Sequence, residues 1–447
     1  MKIVSTYSVK IKEYNHIFKD TVVLYRKSVD FFINVCLENW DDILKIKGGI
    51  KQKQSFVETL TIKTKDRPVV KYDFSTFMYK FLCYLRRAAI SEAIGNVSSY
   101  KSNLVNWELN DKRTRGNKPT IDSCGYVYPV MYRGNMFIRT GTYEAELKVF
   151  IYNTWDYITV QLKKSDVDYI SHHCSTRKEC APTLQKRGKQ WSLDLAFEEK
   201  ATLNDTDIFN QTIVAVDLGI NNSATCSVMY SDGTVIGRRF LSLPKEYDSL
   251  KHKIGHIKYA QRHGSRKMPK LWAYAKGVND DIAVKTAQFI IDTAVLYNAD
   301  VIVFEHLDLQ HKKRGSKKQK LHLWKAQYVQ SMVTDKAHRL GIHISRICAW
   351  GTSRLAFDGS GKVLRGDESS KTDCNYSLCE FQTGKVYNCD LNASYNIGAR
   401  YFIREILKSV SATERQRIEA KVPLCAKRST CTLSTLISLN TELCAVA

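Results

Sequence analysis

Two short apolar runs decide the fold of the second half of the chain: IVAVD at 213–217 and VIVFE at 301–305. In each run, four apolar residues are followed by a carboxylic acid. Short continuous apolar runs are typical of strands buried in a sheet. Two acids that end strands of one sheet lie at the same rim, beyond the hydrophobic core, so Asp217 and Glu305 are expected close together.

The segments around these runs indicate a mixed α/β layer. Residues 223–230 and 234–240 have strand patterns, and Ser-Asp-Gly between them is a hairpin signal. Helical patterns are predicted at about 246–262, 279–297 and 321–340. Three hairpin-linked strands followed by strand–helix alternation are similar to the arrangement of RNase H.

The first half has a different organisation. Residues 1–12 predict a strand, and apolar residues at helical spacing predict helices at about 17–44 and 74–100. Residues 125–165 contain strand-like runs, and alternation from Trp191 to Phe197 predicts one more strand. We expect a β-barrel or sandwich at about 105–205 that includes the N-terminal strand and carries an inserted helical domain.

The charge of the chain favours a polyanionic partner. Among 447 residues, 68 Lys and Arg stand against 45 Asp and Glu, giving a formal net charge of +23. Such an excess attracts nucleic acid at long range and opposes compact folding unless a partner neutralises it. General solubility or a ribosome-associated accessory role is the alternative explanation.

The 13 cysteines do not indicate a disulfide framework. The N-terminal sequence lacks the apolar core of a signal peptide, and no stretch is long and apolar enough to span a bilayer. Reduced thiols in the cytoplasm are therefore expected, without membrane association.

A third acid, Asp390, precedes the helical pattern LNASYNIGARYFIREIL at 391–407. Clustered carboxylates raise each other's pKa and need a neutralising cation, and oxygen-only ligands select Mg²⁺ or Mn²⁺. Two such ions can activate water and stabilise the leaving oxygen of a phosphodiester. The alternatives are a simple strand-to-turn acid at Asp217 and a helix N-cap at Asp390.

Three motifs carry a family resemblance. IVAVDLGINNSAT (213–225) resembles the first RuvC motif of transposon-encoded TnpB proteins and compact type V CRISPR effectors. VIVFEHLDL (301–309) and CDLNASYNI (389–397) resemble the second and third motifs, and Thr352-Ser353 matches the family's Thr-Ser. The resemblance is clear over about 205–405 and rests mainly on domain order over 1–205.

The resemblance implies a multidomain α+β protein. An RNase H-like (RuvC) α/β nuclease domain would follow a β-barrel wedge domain with an inserted helical recognition domain. The implied boundaries are 1–12 for the first wedge strand, 13–104 for the recognition domain, 105–207 for the wedge β-barrel, 208–349 for the first part of RuvC, 350–388 for a target-nucleic-acid-binding insert, and 389–447 for the second part of RuvC with the C-terminal tail.

The resemblance also implies a function. Asp217, Glu305 and Asp390 would be the catalytic metal ligands for two Mg²⁺ ions, which Mn²⁺ can replace. The expected partners are a guide RNA and double-stranded target DNA carrying a short flanking motif, with a monomer favoured. Two alternatives are an RNA-guided DNA-binding repressor and an unguided RNase H-fold transposase or resolvase; the intact triad speaks against the first, the extra domains against a minimal resolvase.

The chain departs from the family in its insert. Many relatives carry two Cys-x-x-Cys pairs there, but TSRLAFDGSGKVLRG (352–366) lacks the first. Cys374, Cys379 and Cys389 follow without tight pairs, and Cys348 is a candidate fourth thiolate. A metal-free insert is therefore expected, with a structural zinc at these cysteines as the alternative. Asn388-Cys389 replaces the family's Asp-Arg before the third acid.

Two basic segments are candidate nucleic-acid contacts. HKKRGSKKQK occupies 311–320, and residues 251–276 interleave basic residues with Tyr259, Trp272 and Tyr274. Such mixtures suit phosphates and unstacked bases, although a solvated charged surface is the alternative.

Overall fold

The computed structural model describes residues 1–12, 16–111, 115–121, 125–219, 222–307, 325–369, 371, 377–427 and 429–445. They divide into two compact units, residues 2–199 and Met1 with residues 200–447. Both units mix helices and strands, so the prediction of a multidomain α+β protein is confirmed. Within the described ranges, no helix is both long and apolar enough to cross a membrane.

The first unit combines helices with two small sheets. Its helices are α1 (Ile17–Glu38), α2 (Trp40–Lys45), α3 (Ile50–Thr61), α4 (Phe74–Phe77), α5 (Cys83–Leu109) and α6 (Lys164–Cys174). Its strands are β1 (Lys2–Lys10), β2 (Phe137–Arg139), β3 (Glu144–Ile151), β4 (Thr154–Gln161), β5 (Lys178–Glu179), β6 (Thr183–Arg187) and β7 (Gln190–Lys200). One sheet has the order β1-β7-β5 with β6 on β7, and the other has the order β2-β3-β4. The N-terminal strand thus joins the later strands, as the sequence predicts.

Several elements of this unit differ from their predicted form. The helix predicted over 17–44 breaks at Asn39, whose side-chain Nδ2 donates to the carbonyl of Val35 at 2.7 Å and so competes with the helical backbone. The helix predicted over 74–100 is interrupted between α4 and α5. Residues 125–132 form no strand beyond a bridge from Val130, next to Pro129, which has no N–H to donate to a ladder.

The helices and strands of the first unit share one hydrophobic core. Phe18 of α1 packs edge-on against Trp191 of β7, with ring centroids 5.3 Å apart. Thr21 of α1 also accepts a 2.9 Å hydrogen bond at Oγ1 from the backbone N–H of Phe150 in β3. Helix α1 therefore contacts both sheets of this unit.

The second unit is built around a five-stranded mixed sheet. Its strands are β8 (Ile213–Asp217), β9 (Ala224–Met229), β10 (Val235–Leu241), β11 (Val301–His306), β12 (His343–Cys348), β13 (Leu378–Glu380) and β14 (Val386–Asn388). Its helices are α7 (Pro244–Arg262), α8 (Pro269–Leu296), α9 (Ala326–Arg339), α10 (Cys389–Ser409), α11 (Ala412–Lys421) and α12 (Leu433–Cys444). The main sheet has the order β10-β9-β8-β11-β12, in which β8, β9 and β10 are antiparallel and β8, β11 and β12 are parallel. Helix α8 starts ten residues before the predicted 279.

Both faces of this sheet are covered, which explains the continuous apolar runs. Ile213 and Ala215 of β8 belong to the core on the α10 side, whereas Val214 and Val216 belong to the core on the α8 and α9 side. Helix α10 lies very close to the sheet at Gly398, where an added Cβ would stand 2.5 Å from the sulfur of Met229. This close packing places the start of α10 beside the rim of the sheet.

Candidate active site

The structure brings the three predicted acids to one rim of the main sheet. Asp217 is the last residue of β8, and Glu305 lies near the end of the neighbouring parallel strand β11. The two strands are paired up to Val216 and Phe304, so Asp217 and Glu305, which are the next residues, lie side by side. Asp390 lies in the first turn of α10, the helix packed against β8, and all three side chains are partly buried.

Two of the carboxylates act electrostatically on the third, Asp217. Burial raises the pKa of Asp217 well above its usual range, and repulsion from Glu305 and Asp390 raises it further. Burial also raises the pKa of Glu305, while the hydrogen bond from Thr352 lowers it. A site that raises the pKa of clustered acids in this way would gain stability from a bound cation.

Asp390 is not the N-cap of α10, so that alternative is wrong. The cap is Asn388, whose side-chain oxygen accepts from the backbone N–H groups of Asp390 and Leu391, both at 3.0 Å. The carboxylate of Asp390 is thus free from capping, and its Oδ2 accepts a 2.7 Å hydrogen bond from Nδ2 of Asn222. The departure from the family at Asn388 therefore supplies a good cap and leaves the acid available.

Glu305 is held by two residues from other elements. Thr352 is only 2% exposed, and its Oγ1 lies within hydrogen-bonding distance of Glu305 Oε1 and of the carbonyl of Ala349. A hydroxyl has one hydrogen, and the contact with the carboxylate is the shorter, so Thr352 donates to Glu305. Gln330 of α9 donates from Nε2 to the backbone carbonyl of Glu305 at 3.0 Å.

Two asparagines that the sequence analysis left unassigned hold the loop containing Thr352. Asn396 and Asn392, on one face of α10, are both fully buried. Asn396 donates to the carbonyls of Thr352 and Leu355 at 2.9 and 2.8 Å, and Asn392 donates to the same Leu355 carbonyl at 2.9 Å. Their i, i+4 spacing in the third motif was the sequence signal that could have identified them.

A buried cation also acts on the site. Arg365, in the insert after β12, lowers the pKa of Asp217 by its positive charge. Its Nη2 donates to the backbone carbonyl of Ser353, and its Nε is buried without a hydrogen-bond partner among the described residues. The guanidinium thus brings positive charge towards an otherwise acidic rim.

The donor set suits Mg²⁺ or Mn²⁺, because all three candidate ligands are carboxylates. In the described ranges, no three acidic, histidine or cysteine side chains converge closely enough to hold one ion as they stand. Glu305 and Asp390 both repel the negative charge of Asp217, and a bound divalent ion would offset this repulsion.

The zinc alternative involves three cysteines of the insert. Cys374 lies outside the described residues. Cys379 of β13 and Cys389 of α10 are buried and hydrogen-bonded to each other; this contact raises the pKa of Cys389 and lowers that of Cys379. Cys348, the candidate fourth ligand, is exposed at the end of β12. The metal-free insert stays a prediction.

Of the two basic segments, 311–320 lies outside the described residues. Residues 251–276 fall on α7, α8 and the turn between them, where Tyr259, Trp272 and Tyr274 are all exposed. Lys253 lies over the ring of Tyr274, 4.4 Å from its centroid. The surface therefore offers aromatic rings and cations side by side, as the pattern predicts.

Comparison with known proteins gives a family match, two similar sequences and similar solved structures. Residues 5–151 match the model of the Aq_aa04 family. The uncharacterized protein aq_aa04 of Aquifex aeolicus (strain VF5) is 30% identical over 121 residues, which is 24% of this chain and 67% of that protein. The TnpB-like protein aq_aa05 of the same organism is 25% identical over 235 residues, 48% of this chain and 74% of that protein.

A Cas12f1 chain, solved by cryo-EM with sgRNA and target DNA, is similar in structure with a TM-score of 0.35 and 15% identity. The match covers 88% of this chain and 98% of that one.

Proposed function

Because this chain belongs to the Aq_aa04 family and is a relative of TnpB-like proteins, we propose that it is an RNA-guided DNA endonuclease with a single RuvC-type active site. The observation that carries the proposal is the electrostatic effect that Glu305 of β11 and Asp390 of α10 exert on Asp217 of β8. At a rim with a purely structural role, the repulsion of Asp217 by Glu305 and Asp390 would bring no gain in stability.

In this proposal Asp217, Glu305 and Asp390 hold two Mg²⁺ ions, which Mn²⁺ can replace. The ions, when bound, supply an activated water and stabilise the leaving oxygen of the phosphodiester. The chain's own residues fix the ligands: Asn222 orients Asp390, and Thr352 orients Glu305. Arg365 adds positive charge near Asp217, which favours the approach of a DNA phosphate.

The remaining assignments extend the same proposal. The main sheet, in which an antiparallel β10-β9-β8 hairpin series continues into parallel β11 and β12, is assigned as the RNase H-like nuclease core. Residues 13–104 and 105–207 are assigned as the recognition and wedge β-barrel domains, which bind guide RNA and the flanking motif. Sequence is read by base pairing with the guide, while the protein reads shape and the flanking motif. The protein is proposed to act in the cytoplasm as a monomer.

Sequencing RNA that co-purifies with the protein is the first test. A bound RNA of defined sequence is expected, and its absence would favour an unguided transposase or resolvase. A plasmid that pairs with this RNA and carries a library of flanking sequences is then incubated with Mg²⁺. Linear product is expected; guide-dependent binding without any cut would favour the repressor.

Three substitutions test the site itself. Asp217→Ala, Glu305→Ala and Asp390→Ala are each expected to abolish cleavage while guide-dependent target binding persists. Asp292→Ala, an exposed acid of α8, is the matched control and should cut like the parent. Cleavage should need Mg²⁺ or Mn²⁺ and fail with Ca²⁺, whose larger coordination shell misplaces the attacking water. Robust cutting by Asp390→Ala would contradict the triad.

A further inference from the structure

A cavity of about 240 Å³ lies within the second unit, where the ends of β11 and β12 meet α10 and α11. Its lining includes Arg346, Cys348, Arg400, Arg404, Lys408 and Arg415. Five of these carry a permanent positive charge, and no Asp or Glu of the described residues lines the cavity. The positive charge of the lining therefore favours the binding of an anion.

Arg400 is the buried part of this wall. It is 4% exposed, and its guanidinium donates to four backbone carbonyls, those of Cys348, Trp350, Ser429 and Cys431, at 2.7 to 3.0 Å. Neutral carbonyls orient the group without cancelling its charge. Within the described ranges no carboxylate lies within ion-pair distance of it, and the acid that acts on its charge from further away is Glu305.

The other cations divide into two kinds. Arg404 and Lys408 share Glu405, and Arg415 pairs with Glu419. Arg346 instead donates from Nε to the side-chain oxygen of Gln330 at 3.2 Å and forms no ion pair among the described residues. Arg346 thus has no acidic partner among the described residues and can bind an anion directly. Arg400 uses four of its N–H groups on carbonyls, so it contributes mainly its positive charge to the cavity.

We propose that this cavity binds a phosphate group. Guanidinium groups match the geometry of phosphate oxygens and bind them with paired hydrogen bonds. The volume is below the range of about 300–1,000 Å³ that is usual for drug-sized ligands, which suits a single phosphate group. The phosphate belongs either to a nucleic-acid strand or to a small free phosphate; only the first source depends on the proposed function.

Cys348 provides a local reporter of occupancy. Its thiol lines the cavity and is exposed, so a neutral alkylating reagent can reach it. Purified full-length protein is treated with iodoacetamide in increasing inorganic phosphate, with sodium chloride added to keep ionic strength constant, and peptides are quantified by mass spectrometry. Phosphate should slow labelling of Cys348 about fivefold or more, because a bound anion blocks the access of the reagent to the thiol. Labelling of the exposed Cys83 and Cys444 should not change.

Charge-removing variants locate the effect. Arg346→Gln and Arg415→Gln should each raise the phosphate concentration needed for half protection about tenfold, the effect of losing one charged hydrogen bond. Arg417→Gln removes the same charge from an exposed position of α11 outside the cavity and should leave protection unchanged. Arg400 is left intact, because four carbonyls depend on it. Thermal melting of each variant confirms that it is folded.

Two oligonucleotides identify the source of the phosphate. If an oligonucleotide with a 5′-phosphate protects Cys348 and the same sequence with a 5′-hydroxyl does not, the cavity binds the phosphate at the end of a strand. Protection by both assigns it to the backbone, and protection by inorganic phosphate alone assigns it to a small phosphate. The proposal is overturned if Cys348 is labelled equally fast with and without phosphate, or if Arg417→Gln weakens protection as much as Arg346→Gln. Neither result depends on DNA cleavage, so failure of the cavity and failure of the nuclease are separate outcomes.

Discussion

Asn222 donates a 2.7 Å hydrogen bond from Nδ2 to Oδ2 of Asp390 and thereby joins the turn after β8 to the first turn of α10. Gly219 and Asn222 lie close together, because a Cβ added at Gly219 would stand 2.5 Å from the backbone oxygen of Asn222. The hydrogen bond fixes the carboxylate of Asp390 relative to β8, the strand that carries Asp217.

Asn222→Ala is expected to slow DNA cleavage about tenfold, because a hydrogen bond to a charged carboxylate is lost. The Mg²⁺ concentration for half-maximal rate should rise, since Asp390 is then less well oriented. Rates are measured with guide-loaded protein at several Mg²⁺ concentrations. Asn210→Ala, at an exposed position, is the control. Equal rates for the two variants would show that Asn222 does not position Asp390.

Thr352→Val tests the contact with Glu305. Valine keeps the volume and removes the hydroxyl that donates to the carboxylate. Cleavage should fall about tenfold while guide-dependent target binding is unchanged. Thr352→Ser retains the hydroxyl and should restore most of the rate. If serine and valine variants cut equally, the hydroxyl has no role in positioning Glu305.

Asn396→Ala tests the loop that carries Thr352. The side chain is fully buried and donates to the carbonyls of Thr352 and Leu355. The Leu355 carbonyl keeps its bond from Asn392, but the Thr352 carbonyl and the backbone N–H of Leu433, which donates to Oδ1 of Asn396 at 3.3 Å, each lose a partner. Leaving these two groups unpaired should lower the free energy of unfolding by about 2–4 kcal/mol. The shift is measured by urea denaturation. Asn210→Ala should change stability by less than about 0.5 kcal/mol. A silent Asn396→Ala would mean that water replaces the lost partners.

The insert is expected to fold without metal. Elemental analysis of protein purified without added zinc should find well under one zinc per chain, and a chelator should leave the melting temperature unchanged. Cys379→Ser should have the same melting temperature with and without chelator, because its buried partner is Cys389 and not an ion. Stoichiometric zinc, or a chelator effect lost in the serine variant, would reverse the prediction.

One active site predicts a fixed order of cuts. A RuvC-type site accepts one flexible strand at a time, and guide pairing frees the displaced strand first. With differently labelled strands, a nick in the displaced strand should precede a staggered second cut, and some unrelated single-stranded DNA should be cut after target binding. Asp217→Ala should eliminate both cuts together. A variant that still cuts one strand would require a second active site.

The sequence by itself determined four of the five strands of the main sheet, two of the three acids at its rim and the relationship to TnpB-like proteins, which is confirmed. The physical reason is local: a strand buried on both faces must be apolar throughout, so 213–217 and 301–305 are visible without coordinates. The basic charge and the motif around Asp390 are equally readable from composition and pattern.

Only the tertiary structure decided how the surrounding residues are used. Whether Asp390 or Asn388 caps α10 depends on side-chain direction, which a pattern of residue types does not contain. The partners of Asn396 lie about 40 residues away along the chain, and the wall of the basic cavity is assembled from β11, β12, α10 and α11. Such contacts arise from packing between distant segments, whereas the continuous helix pattern over 17–44 is broken by a local hydrogen bond from the side chain of Asn39.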